Sequence, residues 1–176
     1  IFQCYEVLKT DGNNLHTLNT LGLCLLKLEK YDEANKTLLK AISLDNQNIV
    51  ILNSLGRLNH ELRKSKEAEN FFDRALALNP NSFETLNNMA GFYLEEEKYQ
   101  KAINFYKKAE KIKPNNSILI NNIAKTFMCL HDVDEAEKHC RRAISIDQGN
   151  DEFKKILALI LLKKYDFKNA WLSFDG

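Results

Sequence analysis

The side chains with the clearest capacity to bind a ligand are asparagines that recur every 34 residues. They are Asn19, Asn53, Asn87 and Asn121, with Asn88 and Asn122 beside two of them. Asparagine is a poor residue for a helix interior because its amide competes for backbone hydrogen bonds, so another property must favour it there. Since an amide carries both donors and an acceptor, such a column could bind the backbone of an extended peptide. The alternative is that these amides cap or bridge neighbouring helices, or reflect an asparagine-rich genome.

A second group of side chains raises the question of a metal site. Its members are Cys129, His131, His139 and Cys140. Structural zinc needs four convergent ligands, but Cys140 stands at a place that Leu38 and Phe72 fill in other parts of the chain, so we expect it in the core. The sequence also has no glycine-rich phosphate loop and no nucleophile elbow. We therefore predict no metal, no cofactor and no catalytic residue in this chain.

The asparagine column belongs to a repeat that spans nearly the whole chain. Two alanine series keep the same interval: Ala34, Ala68, Ala102, Ala136 and Ala170, and then Ala41, Ala75, Ala109 and Ala143. An apolar column keeps it too, at Leu21, Leu55, Met89, Ile123 and Leu157. Within each unit, apolar residues recur at three- and four-residue spacing over two stretches, which predicts two helices. Such a unit cannot bury its apolar face alone, so we predict an all-α fold, an α-solenoid of stacked antiparallel helix pairs.

The order of these residues resembles the tetratricopeptide repeat. The third unit matches best, with Tyr93, Tyr99, Ala102, Tyr106, Ala109 and Pro114 in the order typical of the family. The family's tryptophan is replaced throughout, by Leu18, Leu52, Leu86, Ile120 and Lys154. The resemblance implies a right-handed superhelix whose first helices line a concave groove. The asparagine column would face into that groove, with Arg57 and Lys125 as further groove candidates.

The same resemblance implies a non-enzymatic scaffold that binds a partner protein or an extended peptide in its groove. Some members clamp a C-terminal carboxylate with a set pattern of lysines and asparagines, and this chain lacks that pattern, which favours a polar groove that contacts a peptide backbone. The alternative is the substrate-recognition region of a larger transferase. Repeats with an asparagine-lined groove resemble those of O-linked N-acetylglucosamine transferases, and the ending YDFKNAWLSFDG resembles repeats before bacterial transferase domains. In that case the catalytic residues lie outside this chain.

We predict one continuous solenoid domain with the following divisions. Residues 1–14 hold the second helix of a preceding truncated repeat, residues 15–48, 49–82, 83–116 and 117–150 form four full units, and residues 151–176 form a truncated unit. Terminal repeats normally need a polar outer face, and neither end supplies a clear one. We therefore expect a fragment of a longer protein, or ends that associate with another copy of the chain.

Charge and hydropathy limit the other partners. The net charge is +1 and both signs are dispersed along the chain, which argues against a broad basic face that binds nucleic acid. The longest apolar run, ILALILL, is too short to span a bilayer. The cysteines show no disulfide framework and the repeat context is typical of intracellular proteins, so we expect free thiols. We also expect a cytoplasmic location.

Overall fold

The computed structural model describes residues 1–164, which form ten α-helices and no β-strand. The helices are α1 (Phe2–Thr10), α2 (Leu15–Lys27), α3 (Tyr31–Leu44), α4 (Ile49–Glu61), α5 (Ser65–Leu78), α6 (Phe83–Glu95), α7 (Tyr99–Ile112), α8 (Ser117–Cys129), α9 (Val133–Ile146) and α10 (Asp151–Lys163). Each helix in this part of the chain is too short or too polar to span a lipid bilayer. The all-α prediction is confirmed. Ala170 and the ending YDFKNAWLSFDG lie outside the described residues.

The chain divides into two compact units, Ile1–Asn88 and Met89–Gly176, and the division falls inside α6. In the first unit α1 packs on α2, α2 packs on α3 and α4, and α4 packs on α3 and α5. In the second unit α8 packs on α7, α9 and α10, and α9 also packs on α10. Each predicted full unit contains one helix of 13 residues followed by one of 14 residues. We call them first and second helices; the unit boundaries themselves stay a prediction.

Small residues are buried where helices approach closely. All described members of the two alanine series are fully buried. Gly22 and Gly56 follow members of the apolar column, and a Cβ at Gly56 would lie 2.5 Å from the Phe72 ring. Cys140 is also fully buried, as expected. The predicted core columns are therefore correct, because close helix packing leaves no room for larger side chains at these places.

Asparagines also begin most of the first helices. The Asn14 side chain accepts a hydrogen bond from the Thr17 N–H at 3.0 Å. The same capping bond recurs at Asn48 and Asn116, and Asn150 caps α10 by accepting from the Glu152 N–H, one residue earlier in the helix. Ser82 takes this place before α6, where its hydroxyl accepts from the Thr85 N–H at 3.3 Å. Part of the asparagine content of the chain thus satisfies the free N–H groups of helix ends.

The turn from each first helix to its second helix uses a left-handed residue that is not glycine. These residues are Glu29, Arg63, Glu97 and His131, with φ between 57° and 61°. A side chain in this conformation costs about 1–2 kcal/mol. Backbone hydrogen bonds across the turn offset that cost. In the first turn, for example, the Lys30 N–H donates to the Leu25 carbonyl at 2.9 Å.

Basic side chains on the second helices bind the turns that precede the first helices. Lys40 donates to the Gly12 carbonyl at 2.6 Å, and Arg74 donates to the Asn46 carbonyl at 3.3 Å. In the second unit Arg142 donates to the Pro114 carbonyl at 2.5 Å. Each contact reaches back 28 residues and so ties one repeat to the one before it. This role was not predicted from the sequence, although Lys40, Arg74 and Arg142 share one repeat position.

Candidate functional site

In the first unit, Asn19 bridges two neighbouring first helices. Its side chain on α2 is 8% exposed, and its Oδ1 accepts a hydrogen bond from the Ser54 hydroxyl of α4 at 2.6 Å. The Ser54 hydroxyl also lies 3.0 Å from the Val50 carbonyl, so it has a second acceptor within its own helix. Within residues 1–164, Asn19 Nδ2 has no hydrogen-bond partner. One end of this amide is therefore held by the fold, and its donor end stays available.

Asn53 also bridges to the next first helix, but as a donor and to a different repeat position. Its side chain is 7% exposed, and Nδ2 donates to the Thr85 hydroxyl at 2.9 Å. Thr85 in turn donates to the Ser82 hydroxyl at 2.8 Å. Asn53 Oδ1 is buried without a partner in the described part of the chain. The donor of Asn53 is thus engaged by the first-helix packing, in contrast to the donor of Asn19.

A surface cavity of about 250 Å³ opens beside Asn19. It is lined by Leu15, His16, Asn19, Asn48, Val50 and Ile51. The Asn48 amide is occupied, because it caps α4 through Ile51 and also donates to Asp45. Val50 is 60% exposed, so an apolar wall of the cavity faces solvent. Among the described lining residues none is acidic, lysine or arginine.

In the second unit, Asn121 lies at the junction of three helices. Its side chain is 2% exposed on α8. Cys140 of α9 donates to the Phe153 carbonyl of α10 at 3.3 Å, and its Sγ lies 3.9 Å from Asn121 Oδ1. Burial raises the pKa of Cys140 to about 11, so the group remains a thiol at neutral pH. This arrangement makes Asn121 part of the helix packing.

The remaining candidates are more open to solvent. Asn87, Asn88 and Asn122 are half-buried, and Arg57 is exposed. Lys125 of α8 pairs with Glu152 of α10 at 2.7 Å, and this hydrogen bond lowers the pKa of Glu152. An ion pair thus links α8 to α10, as the Asn19 to Ser54 bond links α2 to α4. The role of the predicted residues in partner binding stays a prediction.

The four metal-ligand candidates have different surroundings. Cys129 and His131 are exposed, whereas the His139 ring stacks on Phe127 with centroids 5.5 Å apart. Burial lowers the pKa of His139 below its ordinary value. Over residues 1–164, no three His, Cys, Asp or Glu side chains are placed to share a metal ion.

Apolar side chains beside the asparagine column were not predicted from the sequence. Val50 stands three residues before Asn53, and Ile118, three residues before Asn121, is 63% exposed. Val50 and Ile118 share one repeat position. Apolar residues at that shared position were the signal that could have indicated an apolar surface next to the amides.

Comparison with family models identifies the repeat. Three models, each described as a tetratricopeptide repeat, match residues 15–48 and 49–82, residues 71–104, and residues 93–160. The search of curated proteins found no significant match.

Solved structures share the fold at low sequence identity. PilW, described as a widely conserved type IV pilus biogenesis factor, superposes with a TM-score of 0.87 at 18% identity, over 97% of this chain and 79% of PilW. PilF of Pseudomonas aeruginosa superposes with a TM-score of 0.83 at 20% identity, over 92% of this chain and 73% of PilF. MamA of Desulfovibrio magneticus superposes with a TM-score of 0.77 at 17% identity, over 92% of this chain and 91% of the MamA chain.

The repeat interval, the paired helices and the family models agree along most of the chain. The models together span residues 15–160, and the structural neighbours show the same helical repeat solenoid at the level of the fold. We conclude that the chain belongs to the tetratricopeptide repeat family, whose units form protein-interaction scaffolds.

Proposed function

We propose that this chain is a non-catalytic scaffold that binds an extended, uncharged segment of a partner protein along the faces of its first helices. The cavity beside Asn19 is one subsite of that face. It receives an aliphatic side chain of the partner, and Asn19 donates a hydrogen bond to the partner's backbone.

The observation that carries this proposal is the orientation of the Asn19 amide. The Ser54 hydroxyl occupies Oδ1 at 2.6 Å, which leaves Nδ2 as a donor beside an apolar cavity. A donor in largely apolar surroundings is best matched by a neutral acceptor, such as a peptide carbonyl, because a charged group would lose its hydration there.

The size and lining of the cavity favour a single apolar side chain. Its volume of about 250 Å³ is smaller than the roughly 300–1,000 Å³ of ordinary small-molecule sites. Leu15, Val50 and Ile51 supply apolar walls without a neighbouring charge in the lining. A leucine or isoleucine of an extended segment suits such a site, since a carboxylate or ammonium group finds no counter-charge there.

Methyl NMR tests this subsite with a minimal probe, N-acetyl-leucine methylamide, which combines one aliphatic side chain with peptide acceptors. We expect saturable shifts of the Leu15, Val50 and Ile51 methyl signals, and weaker shifts with N-acetyl-aspartate methylamide. Asn19→Ala should abolish most of the response and change stability little, because Ser54 can still donate to Val50. Asn70→Ala, an exposed asparagine on α5, is the matched control.

The proposal fails if the leucine probe shifts none of these methyl signals, or if Asn19→Ala responds as the Asn70→Ala control does. Equal shifts with the aspartate probe would contradict the uncharged character of the segment.

The sequence also suggested that the array selects substrates for a linked transferase domain. This alternative uses the same face, and its C-terminal signature lies in residues 165–176, outside the described part of the chain. It stays a prediction, which expression and sequencing of the full reading frame would test.

A further inference from the structure

One exposed face of α7 carries a row of three lysines and one asparagine. Lys101, Asn104, Lys108 and Lys111 are spaced by three or four residues and are all exposed. This spacing places them on one face of the helix. At about 1.5 Å per residue the row is about 15 Å long. We call these four residues the α7 lysine stripe.

The other second helices do not share this charge distribution. α7 has four lysines and one acidic residue, whereas α3 has two basic and two acidic residues. α5 has two basic and three acidic residues, and α9 has three of each besides His139. At the position of Lys101 the equivalent residues are Glu33, Glu67 and Glu135. The repeat thus replaces a glutamate with a lysine in one unit only.

The stripe lysines are not neutralised by carboxylates. Within residues 1–164, none of the three lies within ion-pair distance of an acidic group, and the one glutamate of α7, Glu110, binds Arg142 instead. Lys107, at the edge of the stripe, is close enough to Glu135 to help lower its pKa. The three stripe lysines therefore keep their positive charge without a paired carboxylate, whereas the charge of Lys107 is partly balanced by Glu135.

Aromatic rings hold two of the stripe lysines near the surface. Lys101 Nζ lies 4.9 Å from the centroid of the Tyr93 ring, and Lys108 Nζ lies 5.1 Å from that of Phe105. The two rings stack with centroids 5.4 Å apart. Cation–π contacts restrict the lysine side chains, which reduces the entropy lost when an anion binds.

We propose that the α7 lysine stripe is a docking surface for a short acidic segment of a partner protein. A segment with three or four carboxylates over about 15 Å would face the stripe. This surface lies on a second helix, so it is separate from the first-helix site proposed above and does not depend on it.

The surroundings favour a short acidic peptide over a longer polyanion or a membrane. The exposed Glu95 and Glu97 precede α7, and they would repel an anion that extends beyond the stripe. Ile112 is the one large apolar residue of α7 that is exposed, at 39%, so this helix offers little to insert into lipid. The net charge of the chain is only +1, which gives little long-range attraction to nucleic acid.

The test measures the anisotropy of a fluorescein-labelled tetraglutamate peptide, whose extended length of about 13 Å matches the stripe, mixed with the intact chain at several salt concentrations. The test variant combines Lys101→Gln, Lys108→Gln and Lys111→Gln. The control variant combines Lys36→Gln, Lys66→Gln and Lys155→Gln, which removes three exposed lysines from three other helices. We expect the test variant to bind about tenfold more weakly than wild type and the control variant to stay within about twofold, since only the stripe lysines contact the peptide.

Three outcomes would overturn the proposal. They are an absence of tetraglutamate binding, equal weakening in both variants, and tighter binding to single-stranded DNA or to phosphatidylserine vesicles than to the peptide. Circular dichroism melts of both variants check their folding, and the single variant Lys111→Gln, which leaves both ring contacts intact, should still weaken the peptide complex.

Discussion

Gly56 of α4 and Gly91 of α6 should respond in opposite ways to the same substitution. A Cβ added at Gly56 would lie 2.5 Å, 2.7 Å and 2.7 Å from three atoms of the Phe72 ring, and Phe72 is 1% exposed. A Cβ at Gly91 would have its nearest neighbour, the Tyr106 hydroxyl, at 3.9 Å. Alanine therefore fits beside Tyr106, but at Gly56 it forces a buried ring to move.

The expected magnitudes follow from two opposing effects. Replacing a helical glycine with alanine stabilises a helix by about 0.5–1 kcal/mol, because the unfolded chain loses freedom. Overpacking of a buried ring costs about 1–3 kcal/mol. Gly91→Ala should thus raise the free energy of unfolding by about 0.5–1 kcal/mol, and Gly56→Ala should lower it by about 1 kcal/mol.

Urea titrations followed by circular dichroism measure both values under the same conditions. A further variant separates the ring contact from other causes. In the second unit the fully buried Ala124 packs in the same cluster as Cys140, so a smaller partner accommodates alanine. Gly56→Ala should therefore cost less in a Phe72→Cys background than in the wild type. Equal stability of Gly56→Ala and Gly91→Ala, or an unchanged cost in the Phe72→Cys background, would refute this account of the packing.

Three further predictions concern stability. Arg142→Met should lower the free energy of unfolding by about 1 kcal/mol, since it removes the contacts to Glu110 and Pro114, whereas the more exposed Arg141→Met should cost less than about 0.5 kcal/mol in the same urea titration. Ala68→Leu should cost about 1–3 kcal/mol because Ala68 is fully buried, and melts that match those of the exposed control Ala77→Leu would contradict the packing. Burial holds the pKa of His139 below 6.5, with Glu110 and Glu135 attracting its proton and Lys138 and Arg142 opposing it. As pH falls, the unfolded chain therefore takes up this proton before the folded chain does. The free energy of unfolding should decrease as pH drops below about 6.5. The decrease should be smaller for His139→Gln than for the wild type, titrated under the same conditions.

The repeat interval and the three- and four-residue spacing of apolar residues were enough to predict the helices and most of the core. Ala34, Ala68 and Ala102 are fully buried, as their common interval indicated. The helices and their buried faces can be predicted from the sequence because apolar periodicity is local. Each helix buries residues that lie three or four apart, whichever neighbouring helix covers them. The same argument placed the Cys140 thiol in the core.

The partners of the polar side chains depended on the tertiary structure. Asn14 and Asn48 cap helices, Asn53 binds Thr85 from the next first helix, and Asn19 keeps its donor free beside a cavity. Nothing in the residue type separates these roles. A small amide bonds to whichever donor or acceptor the fold brings within about 3 Å. For Asn19 and Asn53 that group lies 35 or 32 residues away in sequence, so only the packing of one helix on the next decides it.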